Sequence, residues 1–272
     1  MGRWTLDDVP WEQFDRAKVD PELLRIVKAA SLVEQNGADY AQYLCNVFAG
    51  DAAFEDAARR WGAEETQHGL ALGRWAALAD RDFDHAAACA RFTAGYRVPL
   101  DRAASVRGSR AGELVARCIV ETGTSSYYTA LADAAQEPVL KAICRLIAAD
   151  EIRHYRLFHR HLERYLAAEG LGFWQRLRIA LGRIAESEDD ELSFAYHTAN
   201  APALPYRRRE AARDYQRHAF ALVRRRHVEH AVALIFKAVG LKRGRRLATA
   251  LAWRGLRFKV ARLERPAADG HS

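Results

Sequence analysis

Six residues of this chain have the types and the spacing to hold two metal ions. Two Glu-x-x-His tetrapeptides, Glu65-Thr-Gln-His68 and Glu151-Ile-Arg-His154, each follow a lone glutamate in an apolar helical stretch, Glu34 and Glu121, at separations of 31 and 30 residues. Positions i and i+3 of a helix share a face about 5–6 Å apart, so each tetrapeptide directs one carboxylate and one imidazole at a common point. Four carboxylates neutralise two divalent cations, and imidazole suits redox-active iron.

Such a centre needs four helices that bring the six side chains to one depth. Residues facing each other across a helical hairpin are equidistant from its bend. The midpoint of 34 and 65 falls at Ala49-Gly50-Asp51, where Gly50 can take the left-handed position and Asp51 can cap the next helix. The midpoint of 121 and 151 falls at 136, beside Pro138, a residue welcome in a first helical turn. The spacing predicts helices over about Pro21–Ala49, Asp51–Ala79, Ala111–Ala135 and Pro138–Ala168, with all four glutamates roughly 23 Å from their bends. The segment from Asp80 to Arg110, with Gly95, Pro99 and Gly108, must return the chain along the bundle. The expected fold is all-α: a ferritin-like four-helix bundle with a long crossover between helices 2 and 3, followed by additional C-terminal helices.

The domain organisation read from the sequence is an N-terminal arm (1–20), the bundle (21–168), a connecting helix and loop (169–206) and a basic helical extension (207–272). Within the last two, helices are expected over about Phe173–Ala185, Arg207–Val239 and Arg245–Leu263, with an acidic break at Glu186–Glu191 and a frayed tail to Ser272. The net charge of +7 hides a division. Arg207–Pro266 carries 18 Lys or Arg against 4 acidic residues, leaving the remainder at −7. Clusters such as Arg224-Arg-Arg226 and Lys242-Arg-Gly-Arg-Arg246 suit an acidic protein, an anionic membrane surface or a phosphate backbone, or simply a solvated face. His227-Val-Glu-His230 has a metal-like spacing but no partner carboxylates at matching depth.

No run of 18 apolar residues exists, and the N-terminal residues lack the basic start and apolar stretch of a signal peptide, so a cytoplasmic protein is expected. Gly2 lacks the Ser or Thr at position 6 that lipidation prefers. Cys45, Cys89, Cys118 and Cys144 are far apart, which excludes a zinc knuckle and a dithiol motif and points to free, mostly buried thiols. Small residues beside Glu34, namely Ala30, Ser31, Gly37 and Ala38, either leave room for a substrate or let helices approach closely. Tyr128 and Tyr155 lie on the metal-facing stripes, as hydrogen-bond donors to ligands or as core aromatics.

Trp61-Gly-Ala-Glu-Glu-Thr-Gln-His-Gly69 and Ile147-Ala-Ala-Asp-Glu-Ile-Arg-His154 resemble the Glu-Glu-x-x-His-Gly and Ala-Asp-Glu-x-Arg-His signatures of the soluble acyl-carrier-protein desaturases, and Glu121-Thr-Gly-Thr124 resembles their third-helix Glu-x-x-Thr. The resemblance spans residues 30–160. It implies two irons held by Glu34, Glu65, His68, Glu121, Glu151 and His154. It further implies Asp150 and Glu64 as acceptors for the ligand histidines, and Thr124 as a hydroxyl on the oxygen side.

The same ligand logic serves rubrerythrins, bacterioferritins and hydroxylases, so reaction type stays open among several readings. The first expectation is an oxygen-dependent oxidase or monooxygenase that desaturates or hydroxylates an acyl chain. Its expected partners are molecular oxygen, an external electron donor such as ferredoxin, and an acyl substrate presented on an acidic carrier protein that docks on the basic extension. A peripheral anionic membrane contact and a homodimer are further expectations. The alternatives are iron handling or peroxide scavenging, and a scaffold acting only through its basic extension. Manganese, or a mixed manganese and iron pair, fits the same ligands.

Overall fold

A computed structural model describes residues 4–186 and 190–265, which form helices and no strand. Its elements are α1 (Pro21–Gln35), α2 (Gly37–Val47), α3 (Ala52–Ala79), α4 (His85–Gly95), α5 (Arg110–Ala134), α6 (Pro138–Glu169), α7 (Phe173–Glu186), α8 (Asp190–Asn200), α9 (Arg208–Ala221), α10 (Arg225–Val239) and α11 (Arg245–Leu263). Met1–Arg3, and with them Gly2, lie outside the described residues, as do residues 187–189 of the acidic break and the tail from Pro266 to Ser272.

Local chemistry sets the helix ends. Asp20, Asp51, Ser109 and Glu137 each cap a bundle helix by accepting from a backbone N–H of its first turn. Gly50 takes φ +90° at the first bend, and Pro138 opens α6 after Glu137 at the second. Glu137 does more than cap. Buried, it accepts from Leu140 N (2.7 Å), Trp75 Nε1 (2.7 Å) and Asp15 N (3.1 Å), tying α6 to α3 and to the N-terminal arm.

Four differences from the sequence reading have physical causes. The predicted first helix breaks at Asn36 into α1 and α2, because α2 presses backbone to backbone on α3. A Cβ on Gly37 would lie 2.3 Å from Glu65 Cβ, and one on Gly62 would lie 2.7 Å from the Gly37 carbonyl oxygen. Gly37 therefore serves close approach and, with Ala30, also lines a cavity. The crossover is not a plain connector, since Asp84 caps α4 within it. The expected Arg207–Val239 helix is two, α9 and α10, divided at Leu222–Arg224. Finally, α8 begins inside the expected acidic break and runs on through Asn200.

Two apolar clusters fill the bundle at different depths. One joins Ile26, Leu72, Trp75, Leu131 and Ile143; the other joins Phe48, Phe54, Trp61, Leu114 and Phe158. Removing each such side chain from water contributes about 1.5–3 kcal/mol. The candidate ligands occupy the layer between the clusters. The later helices pack on this frame: α7 and α10 against α5, α8 against α1, and α9 against α8. Tyr155 is a core aromatic whose hydroxyl donates to the Leu234 carbonyl of α10 (2.7 Å). His227 Nε2 faces Asp133 Oδ2 at 2.7 Å and, among the described residues, takes no part in a metal-like cluster. Cys45, Cys118 and Cys144 are buried, Cys89 half-buried, and all four are free thiols. Among the described residues no helix is long and apolar enough to cross a membrane.

Candidate metal centre

Between the two apolar clusters, α1, α3, α5 and α6 converge four carboxylates and two imidazoles. Glu34, Glu65, Glu121 and Glu151 are 1–7 % exposed, and His68 and His154 are 0 and 2 % exposed. Two groups of ligand atoms result, each within 4.8 Å of one another: Glu34, Glu65, His68 and Glu151, and Glu65, Glu121, Glu151 and His154. Glu65 and Glu151 belong to both. Glu65 turns Oε2 toward His68 Nδ1 (3.8 Å) and Oε1 toward His154 Nδ1 (2.9 Å). Glu151 divides itself likewise, Oε1 toward His68 Nδ1 (3.4 Å) and Oε2 toward His154 Nδ1 (3.8 Å). Glu34 stands only on the His68 side and Glu121 only on the His154 side.

The outer nitrogens of both histidines are occupied. His68 Nε2 lies 3.1 Å from Asp150 Oδ2, and His154 Nε2 lies 2.9 Å from Glu64 Oε2. Arg153 lies between these two carboxylates, 2.6 Å from Asp150 Oδ1 and 3.2 Å from Glu64 Oε2. Trp4 Nε1 donates to Asp150 Oδ2 (2.8 Å) and its ring lies parallel to His68, while Gln67 Nε2 donates to the Trp4 carbonyl (3.0 Å). On the opposite side, the Thr124 hydroxyl donates to Glu151 Oε2 (2.7 Å), and the Tyr128 hydroxyl donates to Glu34 Oε1.

The inner atoms are left without hydrogen bonds. His68 Nδ1, His154 Nδ1, Glu65 Oε1, Glu121 Oε1 and Glu151 Oε1 are buried and unpartnered, although they face one another at short range. Buried polar atoms are rarely orphaned, so a convergent set of lone pairs fits divalent cations. The electrostatics agree. Burial, then the charge of Glu65, pushes Glu34 well above the usual carboxylate range; burial likewise raises Glu121. Burial also acts to raise Glu65, but the close imidazoles of His154 and His68 bring it well below that range. Both imidazoles are raised well above the usual histidine value: burial opposes this, and Asp150 and Glu151 at His68, or Glu121 and Glu151 at His154, prevail. Two divalent ions would supply positive charge among these crowded carboxylates.

A cavity of about 330 Å³ opens beside this layer, lined from α1, α2, α3, α5, α7, α8 and α9. Its walls are mostly apolar, with Glu34, Glu65 and Thr124 on one side. It also contains two groups not singled out from the sequence, Arg117 and Glu191. Arg117 had a readable signal, standing one helical turn before Glu121 in an apolar stretch.

An all-α bundle with a buried centre of four carboxylates and two histidines, able to hold metal and lying against an apolar cavity, defines the class. The sequence matches the fatty acid desaturase family over residues 34–177, and the chain belongs to that family. A comparison with curated proteins finds no match.

Proposed function

We propose that this protein is an oxygen-dependent oxidase that acts on an acyl chain at two irons held by Glu34, Glu65, His68, Glu121, Glu151 and His154 on a ferritin-like bundle. The observation that carries the reading is the division of Glu65 and Glu151 between the two histidines, directly beside an apolar cavity. A ferrous pair, when bound, would supply electrons for the reduction of oxygen; a manganese-containing pair fits the same donors.

The chain's own residues perform the remaining tasks. Asp150 and Glu64 fix each imidazole by its outer nitrogen, which leaves the inner nitrogen free to ligate. Thr124 and Tyr128 hold Glu151 and Glu34 by their hydroxyls on the cavity side, so these carboxylates have defined positions from which to move. Ala30, Val33 and Val120 line the cavity with hydrocarbon and keep water from a substrate chain. Iron storage needs no such apolar cavity, and its presence favours acyl oxidation over iron handling. Reducing equivalents come from an external donor, of ferredoxin type in this reading.

Anaerobic ferrous loading followed by desalting tests the proposal. The expected result is about two irons per chain, lost in Glu151→Ala, and an optical change when oxygen is admitted. A wild-type chain that retains no iron would overturn it.

A further inference from the structure

The helix α11 is apolar on two sides. Thr249 is buried, Leu256, Val260 and Leu263 share its side half-buried, and the helix packs on α9 and α10. The opposite side carries Leu247, Leu251 and Phe258, which are 67, 60 and 72 % exposed. Together with Arg254 and Arg262 they advance by four, three, four and four residues, which makes one stripe along the helix. Large apolar side chains gathered on one exposed face mark a contact with another apolar medium.

Cations frame this stripe. From Gly240 to Leu263 the chain holds eight Lys or Arg and no Asp or Glu, and Lys242, Arg243, Arg245 and Arg246 at the turn into α11 are all exposed. A groove of about 880 Å³ between α10 and α11 is lined by Lys237, Lys242, Arg245 and Arg246 together with Phe236 and Leu247. Leu247 belongs to both groove and stripe, so charge and hydrocarbon meet on one surface. Arg176 of α7 reaches the same turn, its guanidinium 3.2 Å from where a Cβ on Gly240 would stand, which brings Trp174, 77 % exposed, to this end of the protein.

The partner must satisfy both features. An acidic protein or a phosphate backbone answers the cations and leaves Leu251 and Phe258 in water. A neutral apolar partner answers the stripe and leaves the crowded cations without counter-charge. An anionic bilayer answers both, because its headgroups attract Lys and Arg while apolar side chains enter the acyl boundary roughly 5–10 Å deep. Lysine and arginine suit that boundary, since their hydrocarbon stems lie along apolar surface and their charged heads stay among the headgroups.

We propose that α11 and the turn before it seat this protein on an anionic membrane surface, with Leu247, Leu251 and Phe258 in the acyl boundary and Lys242, Arg245 and Arg246 against lipid phosphates. The helix lies in the plane of the interface, being too charged to cross it. The seat is independent of the chemistry at the carboxylate centre, yet it is close to the cavity. Lys259 of α11 lies over the ring of Phe220 (4.7 Å), and Phe220 lines the cavity. A single helix, α9, therefore separates the seat from the cavity.

Co-sedimentation of the full chain with vesicles tests this, phosphatidylcholine alone against equal parts of phosphatidylcholine and phosphatidylglycerol. Partition onto the anionic vesicles should be roughly tenfold or more the stronger at physiological salt. Combining Leu251→Ser with Phe258→Ser should lower it about tenfold, and combining Lys242→Gln, Arg245→Gln and Arg246→Gln should remove the preference for anionic lipid. Wild-type protein should stay partly bound at high salt, where exposed charges are screened and inserted side chains are not. No binding, equal partition onto both vesicles, or undiminished binding of the double serine variant would overturn the seat, the last by showing attraction through charge alone, as an acidic protein or a nucleic acid would exert. Complete release of the wild type at high salt would overturn it too, even where a variant fails to fold.

Discussion

Trp4 and Asp150 meet across 146 residues, the indole Nε1 donating to Oδ2 at 2.8 Å, and the same oxygen faces His68 Nε2. The N-terminal arm thereby positions the His68 imidazole through one carboxylate. Trp4→Phe should lower stability by roughly 1.5–3 kcal/mol, the range for a hydrogen bond to a charged group. Asp150→Asn should weaken metal binding about 10–100-fold, read by competition with a chelator. Equal metal affinity in Asp150→Asn and wild type would show that His68 is oriented without it.

The carboxylates shared between the two sites predict unequal mutants. Glu65→Ala and Glu151→Ala each remove an oxygen from both ligand groups and should abolish binding of both metals. Glu34→Ala and Glu121→Ala each remove a ligand from one group and should leave roughly one metal per chain. Metal analysis after desalting decides, and identical stoichiometries for all four variants would refute the division.

Glycines in α3 and α5 should respond in opposite directions. Gly62→Ala would drive a Cβ to 2.5 Å from Ala41 Cβ and 2.7 Å from the Gly37 oxygen, so it should destabilise by about 1–3 kcal/mol. Gly123 meets nothing within 4 Å and lines the cavity. Gly123→Ala should gain about 0.5–1 kcal/mol, while Gly123→Leu should fill part of the cavity and leave metal content per chain unchanged. Denaturant midpoints and metal analysis check both.

Asp51 links the first bend to the far end of α6. It accepts from Phe54 N (3.2 Å) and Tyr165 (2.7 Å) and pairs with Arg164. Burial acts to raise its pKa, but Tyr165 and Arg164 bring it below the usual aspartate range. A carboxylate whose pKa is lower folded than unfolded stabilises the fold above its unfolded value and loses that contribution as pH falls through the folded one. Asp51→Asn should therefore be less stable than wild type at neutral pH, with the gap closing below about pH 4. A gap that persists unchanged to pH 2.5 would assign the effect to lost capping geometry instead.

The sequence exposed whatever obeys helical periodicity. Glu34, Glu65, Glu121 and Glu151 lie equidistant from bends marked by Gly50 and Pro138, so their common depth was readable before any coordinates. The partition of oxygens between His68 and His154 was not, because it depends on side-chain rotation. The Asn36-Gly37 dipeptide was a readable turn signal for the break, whereas the backbone contact between Gly37 and Gly62, in different helices, was not local and could not be read. Trp4 was invisible for a related reason: its partner is 146 residues away and no local pattern connects them. Arg117 could have been found. Glu113, Arg117 and Glu121 advance by four along α5 through an otherwise apolar stretch, and a charge on a buried face calls for a counterpart.

The apolar interior is divided into two clusters by the layer that holds Glu34 and Glu121. Ions that favour the folded state raise its melting temperature in proportion to the logarithm of their concentration over their dissociation constant. Loss of metal would thus loosen both halves at the seam where they meet. A thermal melt of this protein becomes a gauge of how full the candidate centre is.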